Sequence, residues 1–258
     1  MSKIIILNEK QERLLHRLTI REFMQQGFSF ETFMNMTNPS ERYEYCYQYL
    51  GEPIGEGSSR VVFEVDDAQV IKLAIGKYDA GCEQNKAEYE LFQSIQSPLL
   101  TKVLYHAEDF SWIISERVIP CKEVDFYKVL GLPYLPYSSE EYVDDAYEFG
   151  HQNLLGYRGY TTDKINGNDR SISYSQVRNV MRKMLQGQGD MVKDNFPVEY
   201  KIITTHPWFQ ELYNLCENYF LSIDDLGHFN LGLTMRNNKP TIVILDSGFT
   251  DEIGDKYY

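Results

Sequence analysis

Residues 52–118 alternate between β-rich and helical patterns in an order that narrows the choice of fold. Two runs of β-branched and aromatic residues are joined by Asp66-Asp67, which predicts a hairpin. An amphipathic segment follows, and two further β-rich runs come after it. The strands are predicted at 60–65, 69–74, 99–106 and 112–118, and the helix at 83–97. The order ββ-α-ββ favours an α+β fold in which an antiparallel sheet is accompanied by one helix.

Mostly helical patterns flank this stretch on both sides. Residues 8–50 predict two helices: Asn8 begins the first with a capping box, and Asn38-Pro39 begins the second, which stops at Gly51. Further elements are predicted as helices at 140–155, 177–185 and 207–222, a turn at 132–136, a polar loop at 163–173 and a strand at 241–245. The predicted domains are a helical extension (1–50), a sheet-containing lobe (51–118) and a mostly helical lobe (119–258).

Composition argues against several classes of protein. The formal net charge is −13, so the surface repels polyanions and a nucleic-acid partner is not expected. No apolar run approaches the roughly 20 residues of a membrane span, and the apolar start at residues 4–7 is too short for a signal peptide. The four cysteines form no C-x-x-C pair, so zinc is not expected. We expect a cytoplasmic protein with reduced thiols and no membrane partner.

A group of oxygen-bearing side chains lies near the C-terminal end. Asp225 is followed five positions later by Asn230, and an apolar run leads to Asp246-Ser-Gly248. A carboxylate such as Asp225 takes the proton of an attacking hydroxyl, while Asn230 and Asp246 offer the hard oxygen ligands that Mg²⁺ prefers. Taken singly, each has a simpler explanation, because Asp225 also fits a helix end and Asp246 a β-turn.

A glycine-containing segment precedes the first predicted hairpin. Gly55 and Gly57 allow the backbone to approach a polyphosphate and to present N–H groups to it, with Ser58 beside them. Arg60 either supplies charge to a phosphate or points into solvent. The alternative is that this segment is simply the turn of a hairpin.

Lys72 lies between Ile71 and Leu73 on a predicted strand. An unpaired lysine among such neighbours would be costly, so we expect it to point to an acid or an anion. The alternative is an exposed lysine on the solvent face of an alternating strand.

Taken together and in this order, these motifs resemble the protein-kinase-like superfamily, over residues 50–118 and 207–249. The resemblance rests on spacing, and it implies that Gly55, Gly57 and Val62 belong to an ATP-binding loop. It further implies that Lys72 holds the α and β phosphates and that Glu88 of the predicted helix holds Lys72. Glu83 and Glu90 compete for that last role.

The same resemblance implies further site residues and an overall fold. Residues 115–118 fall where the hinge would be, so the backbone of Glu116 and Val118 would bind adenine. Asp225 would be the catalytic base, with Asn230 and Asp246 as magnesium ligands. The implied fold is two-lobed, with an antiparallel-sheet N-lobe plus one helix and a truncated, mostly helical C-lobe.

The chain departs from that family in two respects. Ile223-Asp224 stands where kinases have His-Arg or His-Gly before the catalytic Asp, and only ten residues follow Gly248. The second departure removes the late helices on which protein kinases bind peptides. The compact form of the motifs at residues 57–63 and 225–232 looks more like that of the atypical kinases and small-molecule phosphotransferases of bacteria and their viruses.

The expected function is transfer of the γ-phosphoryl group of ATP, with Mg²⁺, to a hydroxyl of a protein or a small molecule. A second hypothesis is a pseudokinase that binds nucleotide or assembles with a protein partner through residues 8–50. A third transfers the nucleotidyl group. In an unrelated α+β domain, by contrast, Lys72, Glu88 and Asp246 would lie far apart.

Overall fold

The structure, a computed structural model, describes residues 27–132 and 174–258. Within these residues the chain is an α+β protein with antiparallel sheets and several helices, which confirms the predicted class. The helix predicted at Asn8, the turn after Leu132, the helix at 140–155 and the loop at 163–173 lie outside the described residues. None of the described helices is both long and apolar enough to cross a lipid bilayer.

The described elements form two compact units. The helices are α1 Phe30–Asn35, α2 Pro39–Leu50, α3 Tyr78–Ser94, α4 Glu123–Leu130, α5 Tyr174–Leu185, α6 Gly189–Asn195, α7 Pro197–Thr205, α8 Pro207–Tyr219 and α9 Asp251–Tyr257. The strands are β1 Gly55–Glu56, β2 Arg60–Asp66, β3 Gln69–Ala74, β4 Val103–His106, β5 Trp112–Glu116, β6 Ile119–Pro120, β7 Leu231–Arg236 and β8 Lys239–Ile244. The first unit contains residues 27–93 and 102–117, and the second contains 94–101 and the described residues of 118–256.

The first unit contains a five-stranded antiparallel sheet in the order β1-β2-β3-β5-β4. The hairpin predicted around Asp66-Asp67 is the β2–β3 pair. Because successive side chains of a strand point to opposite faces, Val61 and Phe63 share one face, where both are fully buried. This alternation defines the apolar face on which the rest of the core is built.

Helices α1 and α2 pack on that apolar face. Asn38 caps α2, Pro39 is its first residue, and Gly51 ends it with a φ of 88°, which confirms the predicted boundaries. Phe33 of α1 is fully buried, and its ring meets that of Trp112 edge-on with centroids 5.2 Å apart. One aromatic core therefore joins residues 28–50 to the sheet of the same unit.

The second unit combines helices α4–α8 with a three-stranded antiparallel sheet in the order β6-β7-β8. Strands β7 and β8 are connected by Asn237-Asn238, which both have a positive φ and so form a tight hairpin turn. Trp208 of α8 donates from Nε1 to the carbonyl of Ile242 at 3.1 Å. That bond fixes α8 against the hairpin, and Phe209 of the same helix is fully buried in the core.

Several predicted boundaries are wrong. Helix α3 begins at Tyr78, earlier than predicted, and the strand predicted at 99–106 is shortened to Val103–His106. The strand is shorter because Leu99 and Leu100 pair with Ile244, and all three residues belong to the second unit. The elements that the sequence did not predict are α1, α4, α6, α7, α9, β1, β6 and β7. Most are short, so their apolar pattern repeats too few times to be recognised.

Candidate functional site

The glycine segment forms the tip of the β1–β2 hairpin. The N–H group of Gly57 donates to the carbonyl of Arg60 at 2.8 Å, which closes a tight turn, and Gly57 and Ser58 are exposed. Neither Gly55 nor Gly57 has a positive φ, and an added Cβ atom would meet nothing closer than 3.7 Å. The fold therefore does not require glycine at these positions, and phosphate binding by this segment stays a prediction.

Strand pairing aligns three of the predicted residues across the sheet. Gly55 lies opposite Val62, and Val62 lies opposite Lys72. Residues directly opposite each other on neighbouring strands project from the same face of a sheet. The three residues therefore share one face, which is the reverse of the face that α1 and α2 cover.

Lys72 makes a buried ion pair with Glu88 of α3. Its Nζ atom lies 2.6 Å from Oε1 of Glu88, and the two side chains are 7% and 0% exposed. The Ser115 hydroxyl donates to the same oxygen at 3.4 Å. Lys72 therefore points to an acid and not into solvent. Glu90, one of the competing glutamates, is instead exposed on the surface of the helix.

Arg60 turns inward to the same carboxylate. Its Nη1 atom donates to Oε2 of Glu88 and to Oδ1 of Asn85, at 3.0 Å in each case. The side chain is only 6% exposed, so the interpretation that it points into solvent is wrong. Asn85 precedes Glu88 by three positions and so lies on the same side of α3. Each oxygen of Glu88 thus faces a cation, and a role for Arg60 toward phosphate stays a prediction.

The segment predicted to bind adenine includes the end of β5. The N–H group of Glu116 donates to the carbonyl of Lys102 at 2.9 Å, and its carboxylate accepts from the N–H of Lys102 at 2.8 Å. Val118 lies beside Gly232 of β7, where an added Cβ atom would come within 2.7 Å of the Val118 side chain. Packing therefore excludes larger residues at Gly232, and adenine binding by Glu116 and Val118 stays a prediction.

Asp225 and Asn230 contact each other in the second unit. The Asn230 Nδ2 atom donates to the Asp225 carboxylate at 3.0 Å and to the Asp225 carbonyl at 2.5 Å. The loop between them is closed by a bond from the N–H of Gly227 to the carbonyl of Asp225 at 2.9 Å. Because the amide nitrogen of Asn230 faces Asp225, its oxygen is the atom that would serve a metal.

The β7–β8 hairpin brings Asp246 close to Asn230 along the backbone. The N–H group of Leu245 donates to the Asn230 carbonyl at 2.8 Å, and Asp246 is the next residue. One carboxylate and one amide oxygen suit Mg²⁺ when phosphate oxygens and water complete its octahedron. Among residues 27–132 and 174–258, no three His, Cys, Asp or Glu side chains form a metal cluster of their own. Binding of magnesium by Asn230 and Asp246 together with a nucleotide stays a prediction.

His228, the histidine nearest to Asp225 in sequence, packs among aromatic rings. Its ring centroid lies 5.3 Å from that of Phe126 and 4.8 Å from that of Tyr174. Burial, and to a lesser extent the charge of Arg178, lower the pKa of His228 to about 4. The ring is therefore neutral near pH 7 and contributes packing instead of charge.

The predicted site residues come together in two groups, one in each unit. Lys72 and Glu88 meet in the first unit, where Arg60 joins them. Asp225, Asn230 and Asp246 are neighbours in the second. No protein-family model matches the chain, and no curated protein matches it in sequence.

Proposed function

We propose that the chain is a kinase-like phosphotransferase, which moves the γ-phosphoryl group of ATP to a hydroxyl group with the help of Mg²⁺. The observation that carries this proposal is the buried ion pair between Lys72 and Glu88. In the proposed fold, the unit with the five-stranded sheet is the N-lobe, and the second unit is a mostly helical C-lobe.

A buried ion pair contributes little net stability to a fold. The cost of removing two charges from water offsets much of their attraction, and apolar residues of similar volume often do as well. The pair lies on the face of the sheet that Gly55 and Val62 share. A strand lysine held by a helix glutamate is the arrangement with which kinases bind the α and β phosphates. Nucleotide binding would explain why this pair is buried, whereas a contribution to stability alone would not.

The second group supplies the residues for the transfer step. The acceptor's hydroxyl oxygen forms a bond to the γ-phosphorus, and the bond from that phosphorus to the bridging oxygen of ADP breaks. Asp225 takes the hydroxyl proton. Asn230 and Asp246 would hold Mg²⁺, which supplies positive charge to the phosphate oxygens.

The remaining predicted residues have positioning tasks in this proposal. Gly55, Gly57 and Ser58 approach the phosphates through their backbone, since the first two leave room for a ligand. The adenine base is assigned to Val62, Glu116 and Val118. Arg60 acts on the phosphates through Glu88, whose second oxygen it holds.

The proposal is tested by ADP formation from Mg²⁺ and ATP, in the wild type and in the Asp246→Ala variant. Removal of Asp246 deletes a magnesium ligand, so we expect turnover to fall by about 100-fold or more while the fold persists. Asp255→Ala is the matched control, because Asp255 is an exposed carboxylate of the same unit. Equal turnover in the wild type and the Asp246 variant would contradict the mechanism. Attachment of AMP to the acceptor with release of pyrophosphate would instead indicate nucleotidyl transfer.

A pseudokinase is the second candidate, and two observations favour it. Ile223-Asp224 replaces the His-Arg or His-Gly that supports the catalytic Asp in kinases, and His228 packs on Phe126 and Tyr174. Such a protein would bind Mg²⁺ and ATP tightly without releasing ADP. Calorimetric titration with a non-hydrolysable ATP analogue, beside the turnover assay, separates the two candidates.

A further inference from the structure

Three residues of helix α5 contact the residues on both sides of Asp225. Tyr174, Arg178 and Arg182 are spaced by four positions, so they lie on one stripe of the helix. The Tyr174 hydroxyl donates to the carbonyl of Leu226 at 2.9 Å, and Arg178 Nη1 donates to the carbonyl of Asp224 at 3.5 Å. Arg182 forms an ion pair with the Asp224 carboxylate. We call these three residues the α5 stripe.

The α5 stripe is itself anchored in the second unit. Tyr174 is 2% exposed, and its N–H group donates to the Tyr127 hydroxyl at 2.9 Å. Burial raises the pKa of Tyr174 above its usual range, so its hydroxyl stays protonated and keeps its proton for the Leu226 carbonyl. The stripe therefore holds the residues before and after Asp225 from a helix whose first residue is buried.

From these contacts we propose that the α5 stripe positions Asp225 for proton transfer, in place of the residues that the catalytic loop lacks. This inference rests on the proposed phosphotransferase function. Since the peptide group before Asp225 and the one after Leu226 are both held by α5, the direction of the Asp225 side chain is restricted as well. Arg178 and Arg182 reach the loop through Asp224, the residue before the proposed catalytic carboxylate, so they are positioning residues.

The contacts of Arg182 contribute little to global stability. Its side chain is 34% exposed and that of Asp224 is 67% exposed. Exposed ion pairs typically stabilise a fold only slightly, because solvent screens them and two flexible side chains must be ordered. Loss of this pair should therefore lower the rate of phosphoryl transfer and leave the melting temperature nearly unchanged. A purely structural role would predict a lower melting temperature instead.

The test compares the maximal rate of ADP formation, the affinity for a non-hydrolysable Mg²⁺-nucleotide and the melting temperature in single variants. For Arg182→Ala and Asp224→Ala we expect the maximal rate to fall about 10- to 100-fold, with nucleotide affinity and melting temperature close to wild type. Lys183→Ala is the matched control, since Lys183 is the next residue on α5 and contacts Gln188 outside the loop. The double variant Arg182→Asp with Asp224→Arg restores the ion pair with reversed charges, and we expect it to recover much of the rate.

Unchanged maximal rates in Arg182→Ala and Asp224→Ala would overturn the inference, and so would a loss matched by Lys183→Ala. If the wild type forms no ADP, the proposed function fails. Amide hydrogen exchange of residues 223–231 then tests separately whether the α5 stripe holds the loop. Faster exchange in Arg182→Ala and Asp224→Ala than in Lys183→Ala would show that the stripe holds the loop. Equal exchange in all three variants would overturn it.

Discussion

At the scale of single residues, the glycines of this chain divide into those that packing requires and those that it does not. An added Cβ atom at Gly81 of α3 would lie 2.4 Å from the carbonyl oxygen of Ser59. At Gly57 the nearest atom, the Arg60 carbonyl oxygen, would lie 3.7 Å away. The two positions therefore allow the same substitution to be tested once for folding and once for ligand binding.

Gly57→Ala should leave the free energy of unfolding the same, or raise it by about 0.4–1 kcal/mol, because alanine restricts the unfolded chain more than glycine does. The same variant should bind Mg²⁺-nucleotide more weakly, since its methyl group would stand where the proposed phosphates approach. Thermal unfolding and nucleotide titration measure the two effects. Gly81→Ala is the contrast and should lose stability, and undiminished nucleotide affinity in Gly57→Ala would argue against a phosphate-binding role.

At the scale of secondary-structure elements, helix α3 joins the sheet through charges as well as apolar contacts. Glu88 receives Lys72 from β3 and Arg60 from β2, and Asn85 holds Arg60 one turn earlier. Two strands and one helix thus meet at one buried carboxylate. Loss of that carboxylate affects all three elements, which makes the cluster a sensitive point of the first unit.

Glu88→Ala should lower the free energy of unfolding by about 3–5 kcal/mol, because it leaves two buried cations without the carboxylate that they share. Glu90→Ala on the same helix is the matched control. Glu90 is 59% exposed and pairs with Lys86 at 3.7 Å, so its loss should change stability by no more than about 0.5 kcal/mol. Urea unfolding of both variants measures the difference, and equal stabilities would contradict the role of the buried cluster.

At the scale of the whole molecule, the segment before the first strand shares a core with the sheet. Residues 28–50 supply aromatic side chains that pack on β2, β3 and β5, and the first unit contains both partners. The described part of the segment predicted to bind a protein partner therefore already buries apolar side chains within the chain. A partner contact through residues 8–50 stays a prediction, to be made by surfaces that this core leaves exposed.

Phe33→Ala should destabilise the protein by about 3–5 kcal/mol, because it removes a fully buried ring and leaves a cavity beside Trp112. Gln48→Ala is the control, since Gln48 is exposed on α2 and its loss should be nearly neutral. Chemical denaturation of the two variants measures the effect. A nearly neutral Phe33→Ala would mean that α1 does not contribute to the core of the first unit.

Much of the fold was predictable where the signal is local. The alternation in residues 60–74 indicates a hairpin, and Asn38-Pro39 and Gly51 mark the ends of α2, because strand periodicity and helix capping depend on near neighbours. Short elements such as β6, with two residues, were missed for lack of a repeating pattern. The pairing of Leu100 with Ile244 was missed because it joins distant parts of the chain.

For the candidate site, the sequence by itself determined which residue types are present, their order and their spacing. It was enough to single out Lys72 and Glu88, and to place Asp225, Asn230 and Asp246 in one motif. Only the tertiary structure decided that Arg60 turns inward and that the α5 stripe reaches the loop around Asp225. Those contacts join residues 28 and 46–52 positions apart. A side chain finds such partners only after the chain has folded, so no local pattern encodes them.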